Sequence, residues 1–338
     1  MDRRGFIGGA AASAMLAGRA QAAALGFRVL AAGLDHAEGV ASCHDGRLFI
    51  SGAAGALGIL TPDGALRWMG EAIAPNGVAI DPQGHAIVAN MGLLKGVAGG
   101  LQRVDPASGR VETLVEALEG RRLAASNNPA VTRSGVIYCT HTSWGPAQNI
   151  GNTSAQGFIY RVMPDGSASI VARDLRGPNG LCLDRDERHL YAALTPAGRI
   201  FRWSLLPDGS LGAAEPYGPP LGRVVPDHMI ADIRALPTAQ RADLGYCDGI
   251  AVDAAGNLWV TLPFANKLVA ITPDGRLKLM AYDPEGTMIA MPTNLCWANL
   301  SGAGRAPRDL VVVSRGSGRI ITTRPPVAGL PMANWPKG

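Results

Sequence analysis

One short segment recurs six times along this 338-residue chain, and no other feature of the sequence narrows the fold as much. Its copies are AEGVASCHDGRLFISG from Ala37, PNGVAIDPQGHAIVAN from Pro75, SNNPAVTRSGVIYCTH from Ser126, PNGLCLDRDERHLYAAL from Pro178, CDGIAVDAAGNLWVTL from Cys247 and PTNLCWANL from Pro292. Most read as an apolar strand, a turn of Asp or Ser with Gly, and a second apolar strand. A further hairpin-like piece follows most copies, such as ALGILTPDGALRWMG or NKLVAITPDGRLKLMA. In its Pro-Asp-Gly turn Pro fixes φ, Asp bonds its own backbone and Gly accepts positive φ. Two hairpins make a four-stranded antiparallel sheet, and six sheets set radially close a ring without long exposed edges. The expected fold is all-β, a six-bladed β-propeller. The sixth copy ends at GRIITTRPP, one strand short, so the N-terminal FRVLAAGL from Phe27 is expected to complete that blade beside Ile320.

Composition agrees with one large β domain: 44 Gly and 24 Pro punctuate the chain at short intervals. Its 31 basic and 27 acidic residues form no concentrated basic face, which argues against a nucleic-acid partner. Five widely spaced cysteines, Cys43, Cys139, Cys182, Cys247 and Cys296, are neither a disulfide framework nor a CxxC metal site. They are expected to serve as small buried apolar residues.

Two stretches stand outside the repeat. Residues 1–22 place Arg3-Arg4 before a Gly- and Ala-rich apolar run and end on the small-residue site Ala20-Gln21-Ala22. This is the pattern of a twin-arginine signal, so the precursor is expected to engage that export machinery. The expected location is periplasmic or secreted, with the propeller spanning 23–338 and no stable membrane anchor after processing. Residues 217–244 fit no blade. Their DHMIADIRAL has apolar residues at helical spacing with Asp227 as a plausible N-cap, which reads equally as a lid or as a bulky connector.

Aligning the copies on their apolar pattern puts Glu38, Asn76, Asn127, Asn179, Asp248 and Thr293 at one position, just before the innermost strand. All six carry a side-chain oxygen, and the ring would deliver them to one height around the central channel. Asn-Gly is also a common turn signal. Glu is not a turn former, however, and two converging carboxylates would repel without a cation. Carboxylates with amide oxygens suit a hard dication such as calcium, and the absence of His and Cys argues against zinc or copper by ligand type.

With EGV at Glu38, SNNPAV, PNGL at Asn179, DGIAVDAAGNLWVT at Asp248 and the late TNLCW, the chain resembles the senescence marker protein, gluconolactonase and luciferin-regenerating-enzyme family across all six blades. That resemblance implies a catalytic divalent cation, calcium first and zinc, manganese or magnesium as alternatives, held by Glu38, Asn179 and Asp248 with Asn127 as a further ligand or substrate contact. It also implies hydrolysis of lactones or similar small esters. The chain departs from the family at Asn127-Asn128, often Asn-Asp, at Ala125, often Arg, and at Thr140-His141, commonly Thr-Asp. These departures fall where substrate is expected. Asp248 is the implied base, and His141 is a local alternative because imidazole suits base work near neutral pH. Asn76, Asn90 and Asn128 are candidate substrate contacts, with Trp144 as an apolar wall. No Gly-x-Ser-x-Gly occurs, which argues against a serine hydrolase. A non-catalytic binding propeller with a structural calcium is the competing expectation.

Overall fold

The computed structural model describes residues 25–71, 73–146, 155–225, 230–302 and 306–331, together with Ala333 and Trp335. Residues 1–22, with the expected signal, and Asp227, the expected cap, lie outside these. Six four-stranded antiparallel sheets follow one another around the channel. Their innermost strands are Val40–Ser42, Pro75–Ile80, Ser126–Val131, Pro178–Leu183, Ile250–Val252 and Pro292–Ala298. The outermost strand of blade six is the N-terminal Arg28–Ala31, pairing Arg28 with Thr322 and Val29 with Ile321. Leu34 N–H donates to Gly318 O at 3.0 Å and continues that closure.

The apolar side chains meet between neighbouring blades, because each sheet is apolar on both faces. Ile87 and Leu101 of blade two pack with Ile137, Phe158 and Tyr160 of blade three. Trp259 of blade five meets Trp297 of blade six edge-on, with ring centroids 5.5 Å apart. Four of these six blades carry glycine right after the ring position, and its role is close approach. A Cβ on Gly39 would lie 2.5 Å from Asn76 O, one on Gly77 2.4 Å from Asn127 O, and one on Gly180 2.4 Å from Asp248 O. The Asn-Gly pairs are therefore channel-packing residues within strands, and the turn reading does not apply to them.

Hydroxyls tie this ring of carbonyls together from the second strands. Thr140 Oγ1 donates to Asn179 O at 2.7 Å, Thr261 Oγ1 to Thr293 O at 3.2 Å and Ser51 Oγ to Asn76 O. Below the ring the channel turns apolar, with Val40, Val78, Leu181, Ile250 and Leu295 around a cavity of about 130 Å³. The C-terminal segment closes that end: Leu330, Pro331 and Ala333 line the cavity, and Trp335 Nε1 donates to Ser42 O at 3.3 Å.

The stretch between blades four and five folds as two short helices, Ile230–Ala235 and Thr238–Arg241. Its base is clamped by Arg223, which donates twice to Asp243 at 2.8 Å. Ile233 is buried with Leu244, Tyr246 and Phe264, so the helix packs on blade five. Among the described residues no helix is long and apolar enough to cross a membrane. All five cysteines are free; four are buried and Cys182 half-buried, with burial pushing the Cys43 and Cys139 thiols up to about 12.

Candidate active site

At the open end of the channel the ring residues divide into two groups. Glu38, Asn179 and Asp248 form the first. Asp248 accepts a hydrogen bond from the Asn179 side chain, and Asn179 Nδ2 also donates to Thr195 Oγ1 at 3.1 Å. Both donations come from the amide nitrogen, so Asn179 Oδ1 is left facing outward from those bonds. Burial, then the negative charge of Glu38, holds the Asp248 carboxyl well above the usual carboxylate range. Burial likewise raises Glu38, against the opposing pull of Arg315 and Arg234. Two converging carboxylates, one of which raises the proton affinity of the other, mark a place for positive charge. Their donors are all oxygens, so the set fits a hard dication at Glu38, Asp248 and Asn179.

The second group is closed on itself. Asn76 Nδ2 donates to Asn127 Oδ1 at 2.8 Å, and Asn127 Nδ2 donates to Thr142 Oγ1 at 2.8 Å. Asn127 is thus engaged at both ends of its amide and serves first to orient Asn76. Thr293 Oγ1 is turned to Glu38 O at 3.1 Å and does not join the donors.

The structure does not bring the remaining expected residues to the ring. His141 is fully buried, and its Nε2 accepts the backbone N–H groups of Ala124 and Ala125 at 3.1 Å each. Its ring stacks on Phe158 with centroids 4.4 Å apart and tilts against Trp144 at the same distance. Burial and the nearby Arg121 charge lower its pKa to about 3. With its basic nitrogen occupied, His141 is a structural clamp on residues 124–125, not a base. Trp144 lies under Arg121, whose Cζ is 4.2 Å from the ring, and lines a separate cleft beside blade three with Glu119 and Arg173. Asn90 accepts from Ala74 N–H at 2.9 Å and donates to Gly100 O and Gln102 Oε1, which uses the whole amide inside blade two. Asn128 lines the apolar cavity below the ring, one residue too deep to reach the mouth.

Two arginines at the mouth were not anticipated. Arg315 follows the second strand of blade six and its Nη1 donates to Glu38 Oε2 at 2.5 Å. Its place corresponds to Thr195 in blade four and Pro263 in blade five, so aligning the ends of the second strands would have singled it out. Arg234 comes from the helix Ile230–Ala235, and its charge acts on both Glu38 and Asp248.

The SMP-30/Gluconolactonase/LRE-like region model matches residues 36–315. The chain is 26% identical to a gluconolactonase of Zymomonas mobilis over 214 residues, 62% of this chain and 54% of that one. It is 24% identical to a 6-deoxy-6-sulfogluconolactonase of Pseudomonas putida over 186 residues, 55% of each chain. The chain therefore matches about half the length of these relatives. A calcium-binding regucalcin of Agrobacterium tumefaciens shares the fold at 18% identity, with a TM-score of 0.66 over 91% of this chain and 96% of that one.

Proposed function

Since the chain belongs to the SMP-30/gluconolactonase/LRE-like family, we propose that it is a metal-dependent hydrolase of lactones or similar small esters. The observation that carries this reading is the convergence of two half-buried carboxylates, Glu38 and Asp248, with the Asn179 amide at the open end of the channel. The gluconolactonase relatives support the ester class, and the regucalcin neighbour supports calcium as the first cation to test.

Glu38, Asp248 and Asn179 would hold the cation. When bound, a dication supplies Lewis acidity toward an ester carbonyl and lowers the pKa of water. Asp248 receives the proton of the attacking water on a carboxylate oxygen. Asn179 keeps Asp248 oriented through its amide N–H, and Thr195 keeps Asn179 oriented in turn. Asn76, positioned by Asn127, is the neutral polar group on the facing side of the ring. The apolar lower channel, closed by the C-terminal segment, leaves the mouth as the way in.

We also propose that residues 1–22 direct export by the twin-arginine route to the periplasm or beyond. Replacing Arg3 and Arg4 by lysine should strand the precursor in the cytoplasm, and an unchanged periplasmic yield would refute that route.

The test of the hydrolase is a screen of purified protein against lactones, aryl esters and a phosphotriester with Ca²⁺, Mg²⁺, Mn²⁺ and Zn²⁺ in turn. Turnover of at least one ester should vanish on chelation and return with the cation. Activity that survives exhaustive chelation would defeat the metal reading, and no turnover with any cation would favour a binding propeller.

A further inference from the structure

Four charged side chains meet at the mouth of the channel, and their sum changes when a cation arrives. Without one, the two carboxylates balance two guanidiniums: Arg315 is paired with Glu38, and Arg234 lies within electrostatic reach of Glu38, Asp248 and Arg315. Arg315 is further held by His36, whose Nδ1 is 3.4 Å from its Nη2. The Arg315 side chain remains 24% accessible, and Arg234 is exposed, so both can meet a molecule entering the mouth. A dication on Glu38 and Asp248 takes up both negative charges. The two guanidiniums, which already repel one another, are then left facing the substrate without a counter-charge.

We infer that Arg315 and Arg234 receive an anionic substituent of the substrate, so that the ester or lactone hydrolysed here carries an oxyanion group such as a carboxylate, sulfonate or phosphate. This rests on the hydrolase reading above and specifies its substrate class. A guanidinium offers several N–H donors in a planar fork that matches such groups. The corresponding blade positions, Thr195 and Pro263, carry no charge, so the preference belongs to the blade-six side of the mouth. Arg234 arrives on the helical stretch between blades four and five, which gives that stretch a place in substrate binding whether or not it moves.

Calorimetric titration of the full chain with Ca²⁺, with and without methanesulfonate, tests the charge balance in the absence of turnover. An anion whose binding needs the cation must tighten the cation by the same factor, so Ca²⁺ should bind about five-fold tighter or more with methanesulfonate present. Arg315→Met should abolish that coupling while strengthening Ca²⁺ binding alone, because Glu38 is released. Two lactones differing only by a carboxylate provide the kinetic arm. Arg315→Met should lower kcat/KM for the acidic lactone roughly ten-fold more than for the neutral one, with Arg315→Lys in between. If Arg315→Met does not fold, Arg234→Met on the exposed helix face carries both measurements. An unchanged acidic-to-neutral ratio overturns the inference and leaves the hydrolase standing. If neither lactone is turned over at saturating cation the hydrolase reading falls, and loss or persistence of the calorimetric coupling in the variants then decides the anion site alone.

Discussion

The same repeat position is used in two ways on the two sides of the channel. On the side of blades one, four and five, Glu38, Asn179 and Asp248 keep side-chain oxygens uncommitted, and Glu38 and Asp248 bring two carboxylates under the charges of Arg315 and Arg234. On the side of blades two and three, Asn76 and Asn127 spend their amides on one another and on Thr142, and His141 and Asn90 are absorbed into the backbone behind them. The fold supplies both sides with the same backbone placement. What separates them is whether a neighbouring hydroxyl, amide or backbone N–H has already taken the side chain's polar atoms. A ring position is a candidate ligand only when it keeps a side-chain oxygen free of such partners.

The largest expected effect lies on the locked side and appears with pH. Unfolded His141 binds a proton below about pH 6.5, whereas the folded residue does so only near pH 3, so folding stability is full above 6.5 and falls as pH drops toward 3. His141 alone contributes on the order of 4 kcal/mol to that loss. Denaturant unfolding across this range should show a flatter pH dependence for His141→Phe, and an unchanged profile would mean that His141 is not held neutral. The pH–rate profile should be unaffected by His141 within the stable range.

Asp248→Asn tests the charged side. Activity should fall by about two orders of magnitude, roughly 2.7 kcal/mol of transition-state stabilisation. Thermal denaturation without cation should be unchanged or improved, since one of two repelling half-buried carboxylates is gone. Full activity in this variant would remove Asp248 from the chemistry.

Gly77→Ala and Gly180→Ala form a matched pair, because each introduced Cβ meets a ring carbonyl at 2.4 Å. Both should lose about 2 kcal/mol of stability by overpacking. Only Gly180→Ala, which pushes on Asp248, should also weaken cation binding measured by calorimetry. Equal losses of affinity would erase the distinction between the two sides. The smallest effect is expected from Trp144→Ala, which removes the surface under Arg121 and should cost about 1 kcal/mol with little change in kcat/KM for a neutral ester.

The propeller, its blade count and the N-terminal closure were legible in the sequence because each rests on period and turn chemistry, which are local. The ring was legible for the same reason: Glu38, Asn179 and Asp248 share a place in the repeat. Which amide stays free is decided by contacts between blades, such as Asn76 with Asn127, that no single copy contains. Asn90 and His141 stand at matching places at the ends of their second strands, and position in the repeat does not say that Ala74, Ala124 and Ala125 claim their polar atoms. Arg315 and Arg234 are not legible in the ring position, because one follows the second strand of its blade and the other lies in the segment that breaks the repeat.

The strand Arg28–Ala31 pairs with the last strand of the final blade, so the two ends of the chain are stitched into one sheet. Ring closure is therefore the most non-local event in folding, and it can occur only after nearly the whole chain has been synthesised. Such late, long-range pairing is intrinsically slow. Until it forms, blade six presents an open edge to any passing chain, and blade one lacks the neighbour that fixes Glu38 through Thr293 and Arg315. The charged side of the mouth thus comes into being at the last step of folding, and a chain cut back through Arg28–Ala31 or Arg319–Thr323 would lose its site before it lost most of its blades.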